Sequence, residues 1–130
     1  MVSKTRLFDA FGELIYAVAI SDGMVQQEEI DSLHKILRGH PWAKEIQWSF
    51  DYEHRKQNAL METYNKALDT FKEYGPTKEY AYLIEVLEEV AAASDGVEKK
   101  EGILISNFQK SLRAHFVEFL DTNQLRKEDH

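Results

Sequence analysis

The sequence contains no cysteine. That absence excludes disulfides, thiol catalysis, iron–sulfur clusters and thiolate zinc sites together, so any metal must be held by oxygen or imidazole. Proline occurs twice and glycine six times in 130 residues. These are too few turn-formers for a many-stranded sheet. No run of roughly 18 apolar residues exists, as a membrane-spanning helix would need. The N-terminal stretch Leu7 to Ile20 imitates a signal peptide after Lys4 and Arg6, but Asp9 and Glu13 interrupt it. A signal h-region tolerates charge poorly, so the same residues read better as an amphipathic helix of a cytoplasmic protein. Positive charge is also scarce. Lys+Arg number 16 against 23 Asp+Glu, a net charge of -7. An acidic chain repels phosphate backbones and anionic lipid, which argues against nucleic-acid binding and favours cations or basic partners.

What is present is helical periodicity. Hydrophobic residues make up 43% of the chain and aromatics 12%, which suits one folded domain rather than a disordered chain. Leu7, Phe8, Phe11, Leu14, Ile15 and Val18 recur at three-to-four spacing, behind Ser3 as N-cap. A second helix is expected from about Gln26 to Arg38, with Ile30, Leu33, Ile36 and Leu37 inward. Glu28, Glu29 and Asp31 lie in its first turns, where the helix dipole favours negative charge. Residues 39–50 read as a loop with short helical turns. Its Trp42 and Trp48 lie outside any stripe and are expected to cover the core. A long middle helix is expected from Asp51 to Tyr74, ended by Gly75-Pro76. Thr77 caps the next helix, which carries Leu83, Leu87 and Val90. A last helix begins near Lys99 with Ile103, Leu104, Phe108 and Leu112, and residues 123–130 form a polar, frayed tail. The expectation is a single all-α domain over residues 1–130.

The informative feature is an internal repeat. Ser21-Asp22-Gly23 with Glu28 recurs 73 residues later as Ser94-Asp95-Gly96 with Glu101, and Leu14, Val18 and Ile30 match Leu87, Ala91 and Ile103. Each half therefore holds a helix, an Asp-Gly turn and an acid-headed helix. Two such hairpins would pack as pseudo-symmetric partners with the middle helix between them.

This pattern, present twice in an all-helical chain, resembles the tellurite-resistance TerB family over roughly residues 5 to 115. A related TerB-like domain occurs in membrane-anchored DnaJ-type co-chaperones. The second half departs from the first where Gly102 stands opposite Glu29. The resemblance implies a non-enzymatic stress-response domain with a divalent-metal site of surface acids, and assemblies at the inner face of the membrane. The matching positions are Asp22, Gly23 and Glu28 in the first half and Asp95, Gly96 and Glu101 in the second. Glu29 would join the first cluster and Glu98 the second. Oxygen-only ligands suit Ca²⁺, Mg²⁺ or Mn²⁺ rather than Zn²⁺.

Each of these residues also has a structural reading. Asp-Gly is a favoured turn pair, the glycines supply positive φ, and Glu28 and Glu101 suit helix N-termini electrostatically. On that reading the chain is an interaction scaffold or co-chaperone-like module without metal. An EF-hand is excluded because Val18 and Ile20 would occupy ligand positions one and three of its loop. His40-Pro41 is followed by Trp42, not by the Asp of a J-domain motif. The five histidines show no i, i+4 pairing, and no nucleophile elbow or phosphate-binding glycine loop occurs, so no enzyme chemistry is expected.

Overall fold

The computed structural model describes residues 2–21, 23–93 and 99–119. Those residues form six helices and no strand: α1 (Lys4–Ala19), α2 (Gln27–Leu37), α3 (Ala43–Lys56), α4 (Leu60–Tyr74), α5 (Glu79–Ala92) and α6 (Lys99–Phe119). No helix among them is long and apolar enough to cross a membrane.

α1 starts where Ser3 Oγ accepts the Arg6 N–H at 3.1 Å, the expected N-cap. It is not a surface helix with one apolar stripe. Every residue from Ala10 to Ala19 is buried, and α1 packs on α3, α4, α5 and α6. Its small residues make this possible. A Cβ on Gly12 would lie 2.5 Å from the Ile46 carbonyl oxygen and 2.8 Å from the Phe50 nitrogen. The α1–α3 crossing is thus closer than any side chain at position 12 permits.

Two expectations are corrected between residues 39 and 74. The stretch read as a loop is largely helix, since α3 begins at Ala43 and places Ile46 and Phe50 in the core. Asp51 is therefore interior to α3 rather than an N-cap. The long middle helix is in fact two helices. The chain breaks after Lys56, where Gln57 takes the left-handed conformation at φ 52°. The Gln57 N–H then bonds the His54 carbonyl at 3.2 Å, and the Asn58 N–H bonds that of Glu53 at 3.3 Å. This is the Schellman pattern, usually built on glycine. The reversal sends α4 back along α1, so the helix at the centre of the packing is α1.

The remaining ends follow ordinary stop signals. Gly75 adopts φ 97°, Thr77 Oγ1 accepts the Glu79 N–H at 3.3 Å, and the Tyr80 hydroxyl reaches the carbonyls of Phe71 and Gly75 at 3.0 and 2.8 Å. The turn His40-Pro41-Trp42 does cover the core. Trp42 stacks on Phe8, and the His40 ring stacks on Tyr82 with centroids 4.5 Å apart. Trp48 does not share that role; it lies on the outer face of α3, 57% exposed. α2 packs chiefly against α5, tied by Tyr82 O–H donating to the Ile36 carbonyl at 3.2 Å. The tail expected at 123–130 lies outside the described residues.

Candidate functional site

The two Ser-Asp-Gly sequences precede α2 and α6. Asp22, Asp95 and Glu98 lie outside the described residues. Gly23 has φ 111°, with its N–H on the Ile20 carbonyl at 2.9 Å, which meets the expectation that this glycine serves a backbone need. The neighbouring pair Glu28 and Glu29 is split, as successive helical residues point about 100° apart. Glu28 is exposed, whereas Glu29 is fully buried. Glu29 Oε1 accepts the Gln26 N–H at 2.8 Å, reaching back over the helix start as in a capping box. In the other half Glu101 is fully buried in the first turn of α6.

Burial therefore shifts the register of the repeat. Glu29, Leu33 and Leu37 are buried along α2; Glu101, Ile105, Phe108 and Leu112 are buried along α6. The inward acid is followed four residues later by an inward aliphatic side chain in both helices. By burial the equivalent of Glu101 is Glu29, not Glu28, and Gly102 no longer opposes Glu29. The sequence motif aligned the acids through the Asp-Gly pair and so paired an exposed carboxylate with a buried one. Among the described residues, no three His, Asp or Glu side chains converge as a metal would require.

Glu28 faces a cleft of about 630 Å³ between α2 and α5, shared with Asp31, Glu85 and Glu89 and with Lys35 as the cation. Ser32 Oγ donates to the Glu89 carbonyl at 3.3 Å beneath it.

Sequence reasoning missed a second set of charges, on α1, α3 and α4. Glu13 and Glu53 are both buried. Arg6 grips Glu13 with both nitrogens, at 2.7 and 3.0 Å, and donates to Thr70 Oγ1 at 3.0 Å. Lys66 Nζ lies 3.4 Å from Glu13 and 3.3 Å from Glu53. Asn58 Nδ2 donates to Glu53 at 2.7 Å. The bidentate hydrogen bond to Glu13 raises the Arg6 guanidinium above its ordinary pKa. Burial pulls the Lys66 ammonium down, but the charges of Glu13 and Glu53 outweigh it and leave its pKa raised. Two buried acids and two partly exposed bases thus neutralise one another, which is what buried carboxylates need. The available signal was Asp9 and Glu13 inside an otherwise apolar helix.

Asp9 behaves differently. Burial, together with the hydrogen bond and the charge of Glu45 across the α1–α3 seam, pushes its carboxyl up to about 7; Arg6 only partly opposes this. Its Oδ1 is buried with no hydrogen-bond partner among the described residues. The backbone carbonyl of Asp9 is engaged, accepting from Ser49 Oγ at 2.6 Å.

No family model, curated protein or solved structure matches the chain.

Proposed function

We propose that the chain is a non-enzymatic, TerB-like stress-response domain of the cytoplasm. It binds a divalent cation, a partner protein or both through the acidic turns ahead of α2 and α6. The observation that carries this reading is the duplication: a Ser-Asp-Gly sequence precedes in each half a helix with a fully buried acid in its first turn. On this reading α1–α2 and α5–α6 are the pseudo-repeated hairpins. The acids proposed for one site are Asp22 with Glu28 outward and Glu29 inward at the start of α2; those for the other are Asp95, Glu98 and Glu101. With oxygen donors and no thiol, the cation is Ca²⁺, Mg²⁺ or Mn²⁺. The partner is a protein, including one in a membrane-associated assembly, and not nucleic acid, because the acidic chain repels phosphate.

Calorimetric titration with each of the three cations tests the cation half. Heat of binding is expected for at least one of them, and none after the double change Asp22→Asn, Asp95→Asn. Absence of heat from all three would sink it.

One observation favours a second reading, in which the acids only cap helices. Glu29 already accepts a hydrogen bond at the start of its own helix. The chain is then a metal-free interaction scaffold.

A further inference from the structure

We propose that the outer face of α3 is an association surface whose occupant is the α2–α5 cleft of a second copy of this chain. Trp48 is the large side chain on that face, 57% exposed. It stacks on Tyr52 one turn later, with centroids 5.6 Å apart and planes 22° apart. Lys56 follows by another turn, its Nζ 5.9 Å from the Tyr52 ring centroid. The spacing of four places all three in one row along the helix. Lys44 and Arg55 flank the row and are exposed. The opposing acids are Asp51, which accepts from Gln47 at 2.9 Å, and the half-buried Glu45, which faces Asp9. A protein of net charge -7 thus carries a local excess of cations around an exposed tryptophan. Trp and Arg are the residue types that most often dominate binding surfaces.

Charge complementarity identifies the occupant. The cleft between α2 and α5 is bordered by Glu28, Asp31, Glu85 and Glu89 against Lys35 alone. Its volume of about 630 Å³ is ample for an indole, and Ile36 and Ala93 supply apolar lining. Carboxylates at the rim meet the lysines and arginine of α3, and the Trp48 N–H gains acceptors. The ridge and the cleft share no residue. The contact therefore joins two unlike patches, and it extends head to tail unless the rotation between copies closes it. One helix face against one cleft falls below the roughly 1,200 Å² of a stable standard interface, so the association is weak and reversible. It is also salt-sensitive, since these charges face solvent before they meet. Nothing in it depends on the cation reading.

Sedimentation velocity on the full chain tests the proposal, in EDTA and low salt, from low micromolar to millimolar protein. The sedimentation coefficient is expected to climb with concentration and to fall back to the monomer value in molar salt. Trp48→Ala and the double change Glu85→Lys, Glu89→Lys should each stay monomeric with unchanged circular dichroism. A charge-swapped partner, Lys44→Glu with Lys56→Glu, should associate when mixed with the Glu85, Glu89 double variant. Monomer at every concentration, or association that either variant leaves intact, would overturn the proposal. The EDTA keeps this outcome separate from that of the cation titration.

Discussion

At the residue scale, Asp9 is held in a setting that disfavours its charged form. It faces Glu45 across the α1–α3 seam, and in the folded chain it keeps its proton up to about pH 7 against an ordinary 3.8. The folded state therefore binds more protons than the unfolded state between those values. Its contribution to stability is fully present below the lower value and is lost as pH rises through the upper one. Urea unfolding followed from about pH 4 to 8 should show stability falling across this window. Asp9→Asn should flatten that slope and unfold at higher urea than the parent above neutrality. An unchanged pH profile in the variant would remove Asp9 as the cause. Of the charges on α1, the sequence showed that Asp9 and Glu13 were misplaced for a signal segment. It did not show that Glu13 is buried and Asp9 half-buried, because the groups around them, Arg6, Glu45 and Lys66, come from three helices. Pairing across elements is invisible to periodicity. The same holds for Glu29, which pattern alone could not distinguish from Glu28.

At the scale of elements, α1, α2 and α5 were legible because apolar spacing and terminal signals agree in them; α6 was legible from Phe108 and Leu112, but its buried side near the start is Ile105 and the expected Ile103 is exposed. Ser3, Gly23, Gly75 and Thr77 act where a reading of caps places them. The α3–α4 reversal was not legible, because its left-handed residue is Gln57 rather than glycine. Nothing in Lys56-Gln57-Asn58 marks a helix end, and the two helices read as one. α3 itself was hidden because its inward residues Ile46, Ser49, Phe50 and Glu53 include two polar ones. Two substitutions probe these elements. Gln57→Gly removes the left-handed penalty at the turn, offset in part by greater freedom of the unfolded chain. It should raise stability by about 0.5–1 kcal/mol, read as an upward shift in thermal midpoint. Gly12→Ala places a methyl group against the α3 backbone. It should cost about 1–3 kcal/mol or more, measured by chemical denaturation. A neutral Gly12→Ala would show that the α1–α3 crossing can open without loss.

For the molecule as a whole, a buried central helix with a four-residue ion network along it is joined by two helices, α2 and α6, each with a buried acid in its first turn and each preceded in the sequence by Ser-Asp-Gly. The buried acids Glu29 and Glu101 belong to the helix starts, while the exposed Glu28 looks into the α2–α5 cleft. The all-helical class followed from composition and spacing. The centre of the packing did not, because α1 is surrounded only through contacts distant in sequence. The central claim is that the duplicated acids hold a cation rather than merely cap helices. The most direct measurement is the thermal midpoint of the parent and of the Asp22→Asn, Asp95→Asn double variant, each in EDTA and in millimolar Ca²⁺, Mg²⁺ or Mn²⁺. A cation is expected to raise the midpoint of the parent and to leave the variant where EDTA leaves it. A variant destabilised by the same roughly 1–2 kcal/mol with and without cation, beside a parent indifferent to all three, would contradict it.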